Sequence, residues 1–386
     1  MKQTILIGVA SLLLAGCAGP KLILYPNDHY RQVGADAAES DIKDCMTLAE
    51  QAGASPSEGK TSQVATGTWN AITDVPGVEV GYATLIEGDA VRTGVTAIHP
   101  RGAANVGDAC MAAVFSLNGN GELTGSHWIE EAGTLPFPIT ITNTHAVGPA
   151  HRGTIEWVVD RFPDLGRLWL LPVTAETWDG YLNDINGPHV TPAVARAALD
   201  SAASGPLDEG CVGGGTGMNC YAFKGGTGTA SRRVDVAGGS YAVGVLLQCN
   251  FGSRHELVIA GVPLGEALAD DNPMEDTFGD WIAAPGAGSV ISVVATDAPL
   301  LPGQLKALAR RVPLGLARTG TTGGHYSGDI FLAFSTANAG AVTGPLEPLV
   351  GDVSLDTVSF VPWGAMDVLY AAVAHAVEEA VVNALV

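Results

Sequence analysis

The apolar positions of this chain fall into short runs rich in small and β-branched residues. They include Ala109–Leu117, Pro138–Asn143, Leu168–Val173, Tyr241–Gln248, Ser289–Thr296 and Ile330–Ser335. Runs of this length, bounded by Gly, Pro and Asn, predict strands. Between them the period changes to that of a helix. Thr191-Pro192 opens one helix with a capping residue followed by Pro at the first position. Leu301, Leu305, Leu308, Val312 and Leu316 mark another, closed by Gly320. Near the C-terminus, Met366, Leu369, Tyr370, Val373, Val377, Ala380 and Ala384 recur at helical spacing, interrupted by Asp367, His375, Glu378, Glu379 and Asn383. That is an amphipathic helix packed on a core rather than a membrane span. The mixture predicts an α+β domain of sheets covered by helices. No internal repeat and no clear linker interrupt the patterning after residue 66, so residues 67–386 read as one domain.

The beginning of the chain has a different character. Lys2 precedes an apolar run from Ile5 to Ala15, which is too short to cross a hydrocarbon core of about 30 Å as a helix. Residues 1–16 are therefore expected to be a secretory signal peptide. Leu14-Ala15-Gly16-Cys17 resembles the bacterial lipobox, in which the Cys is lipid-modified and becomes the new N-terminus. Ala18, rather than Asp, follows Cys17, a pattern that in Gram-negative lipoproteins resembles sorting to the outer membrane. Residues 17–66 read as a lipid-anchored leader, with Gln51–Ser62 (QAGASPSEGKTS) as a tether. The expected location is the cell envelope, at the outer membrane facing the periplasm.

Charge narrows the range of partners. There are 40 acidic and 19 basic residues, for a net charge of −21. A chain this acidic is not built for nucleic acid or for a polybasic contact with a membrane. Charged residues are only 15% and apolar residues 47%, which excludes disorder. Cys45, Cys110, Cys211, Cys220 and Cys249 remain after the lipobox, with no CxxC pair and no HExxH motif, so the pattern points to no metal site. An oxidising compartment would permit one disulfide, with Cys211 and Cys220 the nearest pair in sequence.

Two glycine-rich runs, Gly213–Met218 (GGGTGM) and Lys224–Thr229 (KGGTGT), match neither the phosphate-binding G-x-x-x-x-G-K-[ST] pattern nor the Rossmann spacing, and read as tight turns. No G-x-S-x-G elbow is present. The sharper feature is Pro285–Val294 (PGAGSVISVV), where a glycine-rich loop runs directly into a β-branched strand with Ser289 at the junction. Gly288 leaves the preceding peptide free of Cβ hindrance. A hydroxyl there can attack its own upstream carbonyl to give an ester that hydrolyses. The new chain then begins at Ser289, with an α-amino group of ordinary pKa about 8 able to serve its own hydroxyl as a base.

Several stretches together carry a family resemblance. They are residues 70–82 (NAITDVPGVEVGY), 91–97 (VRTGVTA), 125–133 (GSHWIEEAG), 142–148 (TNTHAVG), 181–187 (YLNDING), 210–218 (GCVGGGTGM), 223–232 (FKGGTGTASR), 243–252 (VGVLLQCNFG) and 288–338. The chain resembles the self-processing aminopeptidases that include D-aminopeptidase/esterases and β-peptidyl aminopeptidases, the DmpA/BapA type. The resemblance implies a four-layer αββα sandwich similar to N-terminal-nucleophile hydrolases, with different connectivity. It implies cleavage between Gly288 and Ser289 into two chains that stay associated, and an assembly of such processed pairs into a homo-oligomer. It implies no metal and no organic cofactor, and a small peptide, amide or ester as substrate.

By position in that pattern, Ser289 matches the nucleophile and Asn250 the oxyanion-hole asparagine, whose amide suits a developing negative oxygen. Ser327 and Asp329 match a serine and an acid beside the nucleophile. Glu131, or its neighbour Glu130, matches an acid that holds the substrate ammonium. A tyrosine that some members add to the oxyanion hole has no counterpart directly after Glu131, so the second donor stays open. The expected activity is release of N-terminal amino acids through an acyl-enzyme. The alternatives are acyl transfer between amines, as in the similarly folded ornithine acetyltransferases, whose nucleophile is threonine, and an inactive envelope scaffold.

Overall fold

The computed structural model describes residues 64–270, 288–342 and 349–385, together with 272, 274 and 346. The signal peptide, Cys17, the tether over Gln51–Ser62 and the segment 275–287 that leads to Gly288 lie outside the described residues.

The strands are β1 (Val64–Thr66), β2 (Glu79–Glu87), β3 (Val91–His99), β4 (Cys110–Gly119), β5 (Thr134–Leu135), β6 (Ile139–Asn143), β7 (Val173–Thr177), β8 (Asn219–Cys220), β9 (Phe223–Lys224), β10 (Gly226–Val236), β11 (Gly239–Asn250), β12 (Gly288–Thr296) and β13 (Ser327–Ser335). The helices are α1 (Ser126–Ala132), α2 (Val147–Arg161), α3 (Pro192–Asp200), α4 (Leu264–Ala267), α5 (Pro302–Ala309), α6 (Val312–Arg318) and α7 (Asp367–Ala384). One sheet has seven strands in the order β1-β10-β11-β12-β13-β4-β5, and a second has four in the order β2-β3-β6-β7.

Three apolar clusters stack these elements into four layers. Between the sheets, Ile98, Ile139, Ile141, Val173 and Ala175 of the four-stranded sheet meet Leu246, Ile291, Val293, Leu332 and Phe334 of the seven-stranded one. The other face of the large sheet, with Val245, Leu247, Val290, Val294 and Phe331, is covered by Leu305 and Leu308 of α5, Val312 and Leu316 of α6, and Leu369, Val373 and Val377 of α7. The outer face of the small sheet carries α2 and α3 through Trp157, Val158, Ala195 and Leu199. This is the αββα arrangement. Its central strands β12 and β13, and β6 of the small sheet, are buried on both faces, which is why they read as unbroken apolar runs rather than alternating ones.

Most predicted elements lie where the pattern placed them, and the departures have local causes. The run Leu168–Val173 is not a strand: Trp169 and Leu171 stay exposed, and the strand begins only at Val173. The helix expected from Leu301 to Leu316 is two helices. Pro313 has no N–H to continue the first, and it stands instead in the first turn of α6. At the other end, Val64–Thr66 already pairs with Arg232–Val234, so the sheet begins in the last residues of the stretch that sequence patterning assigned to the leader. Cys110, Cys211, Cys220 and Cys249 are free thiols, and the Cys211–Cys220 pair does not bridge.

Helix α7 lies so close on β10 that a Cβ at Gly228 would overlap the Ala380 carbonyl oxygen. Gly228→Ala is therefore expected to destabilise the fold by about 1–3 kcal/mol through overpacking. A lowered urea midpoint at unchanged slope is the measurement that checks it.

Candidate active site at the head of strand β12

Successive side chains of a strand alternate between faces. In β12 that alternation sends Val290 and Val294 to the helix side and Ile291, Val293 and Ala295 to the space between the sheets. Ser289 shares the second face. It opens toward the four-stranded sheet, where the backbone N–H of Trp178 donates to its Oγ at 3.3 Å. Ser289 is buried, with 3% of its surface exposed.

Two neighbouring strands complete its surroundings. β11 runs antiparallel to β12 and sets Asn250 directly opposite Ser289. Directly paired side chains stand about 4.5–5.5 Å apart at Cβ on one face. Two residues earlier on that face, Gln248 Nε2 donates to the Thr142 carbonyl at 3.1 Å and to Thr177 Oγ1 at 2.7 Å, tying the two sheets together just below the site. β13 runs parallel to β12 and pairs Ser327 with Gly288, Gly328 with Ser289 and Asp329 with Val290. Ser327 Oγ donates to Asp329 Oδ1 at 2.6 Å, and Asn118 Nδ2 of β4 donates to Asp329 Oδ2 at 3.0 Å. Burial raises the Asp329 pKa above its ordinary 3.8, and these two hydrogen bonds work against that rise.

The glycines at this point are required by space. A Cβ at Gly288 would overlap the Asn250 carbonyl oxygen, and one at Gly328 would overlap that of Asn120. The residue before the serine is thus held against β11 with no room for any side chain. Asn250 has a fixed amide orientation. Its Oδ1 accepts the Asn219 N–H at 3.0 Å, and because that partner is a donor, the oxygen of the amide must face it and Nδ2 must face away.

The structure therefore sets the backbones of Ser289, Asn250, Ser327 and Asp329 side by side at the ends of three adjacent strands, and Gly288 with them; Asn250 shares the face of Ser289, while Asp329 shares the face of Val290. It does not bring Glu130 or Glu131 there. Both are exposed on α1, and Glu130 pairs with Lys306 of α5 at 3.4 Å. Their helix ends in Gly133, whose carbonyl accepts the Ala112 N–H, whereas the contact to Asp329 comes from Asn118. The two positions are six residues apart on β4, about 20 Å at the rise of a strand.

Another carboxylate lies near the serine. Glu176, the penultimate residue of β7, stands two residues before Trp178 and is 2% exposed. Its Oε1 accepts the Glu122 N–H at 2.8 Å and its Oε2 accepts the Thr144 hydroxyl. Burial raises its pKa. Gly121 fits between this carboxylate and Gly328, the residue paired with Ser289. The signal in sequence was faint: one acid inside the run Val173–Thr177, every residue of which is buried. The indole of Trp178 folds over Gly180, where a Cβ would collide with the ring. The ring is partly exposed. Among the described residues no group of three or more His, Cys, Asp or Glu is placed to hold a metal.

Comparison with known proteins places the chain as a whole. The profile of Peptidase family S58 matches residues 70–386. A beta-peptidyl aminopeptidase BapA from Sphingosinicella microcystinivorans is 48% identical over 336 residues, covering 83% of this chain and 82% of that protein. A second BapA, from Sphingosinicella xenopeptidilytica, is 44% identical over 337 residues, covering 83% and 81%. Among solved structures, the L-aminopeptidase D-Ala-esterase/amidase from Ochrobactrum anthropi, described as a prototype for the serine aminopeptidases and a new variant of the Ntn hydrolase fold, superposes with a TM-score of 0.76 at 48% identity. It covers 83% of this chain and 86% of its own. A Burkholderia sp. beta-aminopeptidase gives 0.75 at 46%, covering 83% and 88%. A sandwich of this kind, with relatives this close over most of their length, has one conclusion: the chain belongs to peptidase family S58 and is a peptide hydrolase.

Proposed function

We propose that the protein is an autoprocessed serine aminopeptidase and amidase-esterase that removes N-terminal residues through an acyl-enzyme. The observation that carries this reading is the placement of Ser289 directly opposite Asn250 and beside the Ser327–Asp329 pair, immediately after a glycine that no other residue could replace. The relatives' names, beta-peptidyl aminopeptidase and L-aminopeptidase D-Ala-esterase/amidase, support a substrate with a free amino end and an amide or ester carbonyl.

In self-processing, Ser289 Oγ attacks the Gly288 carbonyl carbon, the Gly288–Ser289 C–N bond breaks, and the nitrogen leaves as the α-amine of Ser289. Water hydrolyses the resulting ester and frees the Gly288 carboxylate. The two pieces, Cys17–Gly288 and Ser289–Val386, stay together because β12 is laddered on both sides, to β11 and β13. In turnover, the freed amine accepts the Ser289 hydroxyl proton as Oγ attacks the substrate carbonyl, and returns it to the leaving amine or alcohol. Asn250 Nδ2 and the Trp178 N–H are the donors for negative oxygen at this point. The Ser327–Asp329 pair orients the α-amine, with Asp329 ionised. Glu176, in place of the expected Glu130 or Glu131, supplies the negative charge that receives the substrate ammonium. A buried carboxylate whose pKa is already raised gains from an incoming cation.

The lipobox at Cys17 and the tether that follows it support a lipid-anchored enzyme of the cell envelope, at the outer membrane on its periplasmic side. Processed pairs are proposed to assemble into a homo-oligomer, and no cofactor is needed for the steps above.

Ser289→Ala is expected to leave a single uncut chain with no hydrolysis of alanine or β-alanine p-nitroanilide. Two bands on denaturing electrophoresis from that variant would overturn the reading, as would an inert, uncut wild type. Asn250→Ala is expected to lower kcat about 10²- to 10³-fold, the usual cost of one oxyanion donor. The pH dependence has a definite sign. Asp329 acts as an anion, and its pKa is raised, so kcat/KM should fall on the acid side with a limb above the ordinary aspartate value of 3.8. Asp329→Asn should remove that limb along with much of the rate; a limb unchanged in that variant assigns it to another group.

A further inference from the structure

Lys224 takes no part in the chemistry above, yet its position is unusual. Lysines near a surface normally bury the stem and keep the ammonium in water. Lys224 is the reverse. The residue as a whole is exposed, while Nζ turns inward onto three backbone carbonyls: Gly215 at 3.4 Å, Met218 at 3.0 Å and Gly225 at 2.5 Å. The Cys211 side chain also bonds to this ammonium. The Met218 carbonyl also accepts the Gly225 N–H at 2.8 Å.

The Met218 carbonyl and the Asn219 N–H belong to the same peptide group. The N–H end of that group donates to Asn250 Oδ1 at 3.0 Å. A single line of polar bonds therefore runs from the ammonium to Met218 C=O, through the peptide to Asn219 N–H, on to Asn250 Oδ1, and through the side-chain amide to Nδ2. Each bond in such a chain polarises the next in the same sense. A positive charge at the far end draws electrons along the line and leaves Nδ2–H a stronger donor, and it also locks the amide against a flip.

We infer that Lys224 is a positioning residue for the oxyanion hole, acting on Asn250 through the Met218–Asn219 peptide. The inference rests on the reading of Asn250 as oxyanion donor given above, and the test separates the two. kcat and KM are measured with alanine p-nitroanilide per mole of processed chain for wild type, Lys224→Met, Asn250→Ala and the double variant. Lys224→Met is expected to lower kcat about tenfold, less than removing the donor outright, with KM little changed. The double variant should be no slower than Asn250→Ala alone, since two changes on one line of action do not add. If Asn250→Ala keeps full kcat, the oxyanion reading fails. If Asn250→Ala is slow but Lys224→Met is as fast as wild type, or the two losses multiply, the role of Lys224 fails and the oxyanion reading stands. Should the methionine variant melt early, Lys224→Gln and Lys224→Arg carry the test: both keep hydrogen-bond donors, and only arginine keeps the charge. Arginine should restore kcat and glutamine should not, and equal rates in the two overturn the inference.

Discussion

The pairing of β11 with β12 is the constraint from which the site follows. Gly288 is pressed against the Asn250 carbonyl, and the antiparallel register then sets Ser289 beside the Asn250 side chain. Slipping that ladder by one residue would turn every side chain of β12 to the opposite layer. Ile291 and Val293 would leave the core between the sheets, and the Ser289 hydroxyl would leave its position under Trp178. The apolar residues that hold the sandwich together thus also hold the register of Ser289. Burial energy spread over a whole strand decides where one oxygen stands.

The same economy appears in how the polar groups are held. Each is fixed by a bond to something that cannot move far. Asn250 is oriented by a backbone N–H, Asp329 by a side chain from the adjacent strand β4, and Glu176 by a backbone N–H and a hydroxyl from the four-stranded sheet side. Gln248 crosses between the sheets immediately beneath. Polar groups preorganised in this way need no rearrangement when charge develops nearby. The cost is a set of carboxyl groups kept from water, and it shows in the raised pKa values of Glu176 and Asp329. Nearby Asp179 is pushed up to about 6 by the same burial.

The glycine-rich runs have a clear role in this setting. Met218 and Gly225 frame the peptide that orients Asn250, and a Cβ at Gly214 would overlap Gln248 Oε1. The runs match no phosphate-binding pattern; their glycines let backbone approach backbone behind the site. The first run is a tight turn, Gly213–Gly217, as its sequence suggested, but the second is not: Lys224 ends β9 and Gly226–Thr229 open β10, because the glycines there let the strand pass close to its neighbours.

Local chemistry determined much of this protein in advance. The β-branched runs at β4, β6, β11, β12 and β13, the cap and Pro of α3, and the apolar stripe of α7 are written in neighbouring residues, so they could be read without a structure. The junction of Gly288 and Ser289 was legible for the same reason, and Asn250, Ser327 and Asp329 through motif resemblance. Strands such as β7, whose Val-Thr-Ala-Glu-Thr run carries a weak apolar signal, could not be placed correctly. The choice among acids was equally closed to sequence. Glu130, Glu131 and Glu176 are alike as side chains. What separates them is that one helix ends against Pro302 of α5 and faces solvent, while β7 ends at the serine. Side-chain type is a property of one position, whereas burial and proximity belong to the packing of strands far apart in the chain, and only the folded sandwich brings those together.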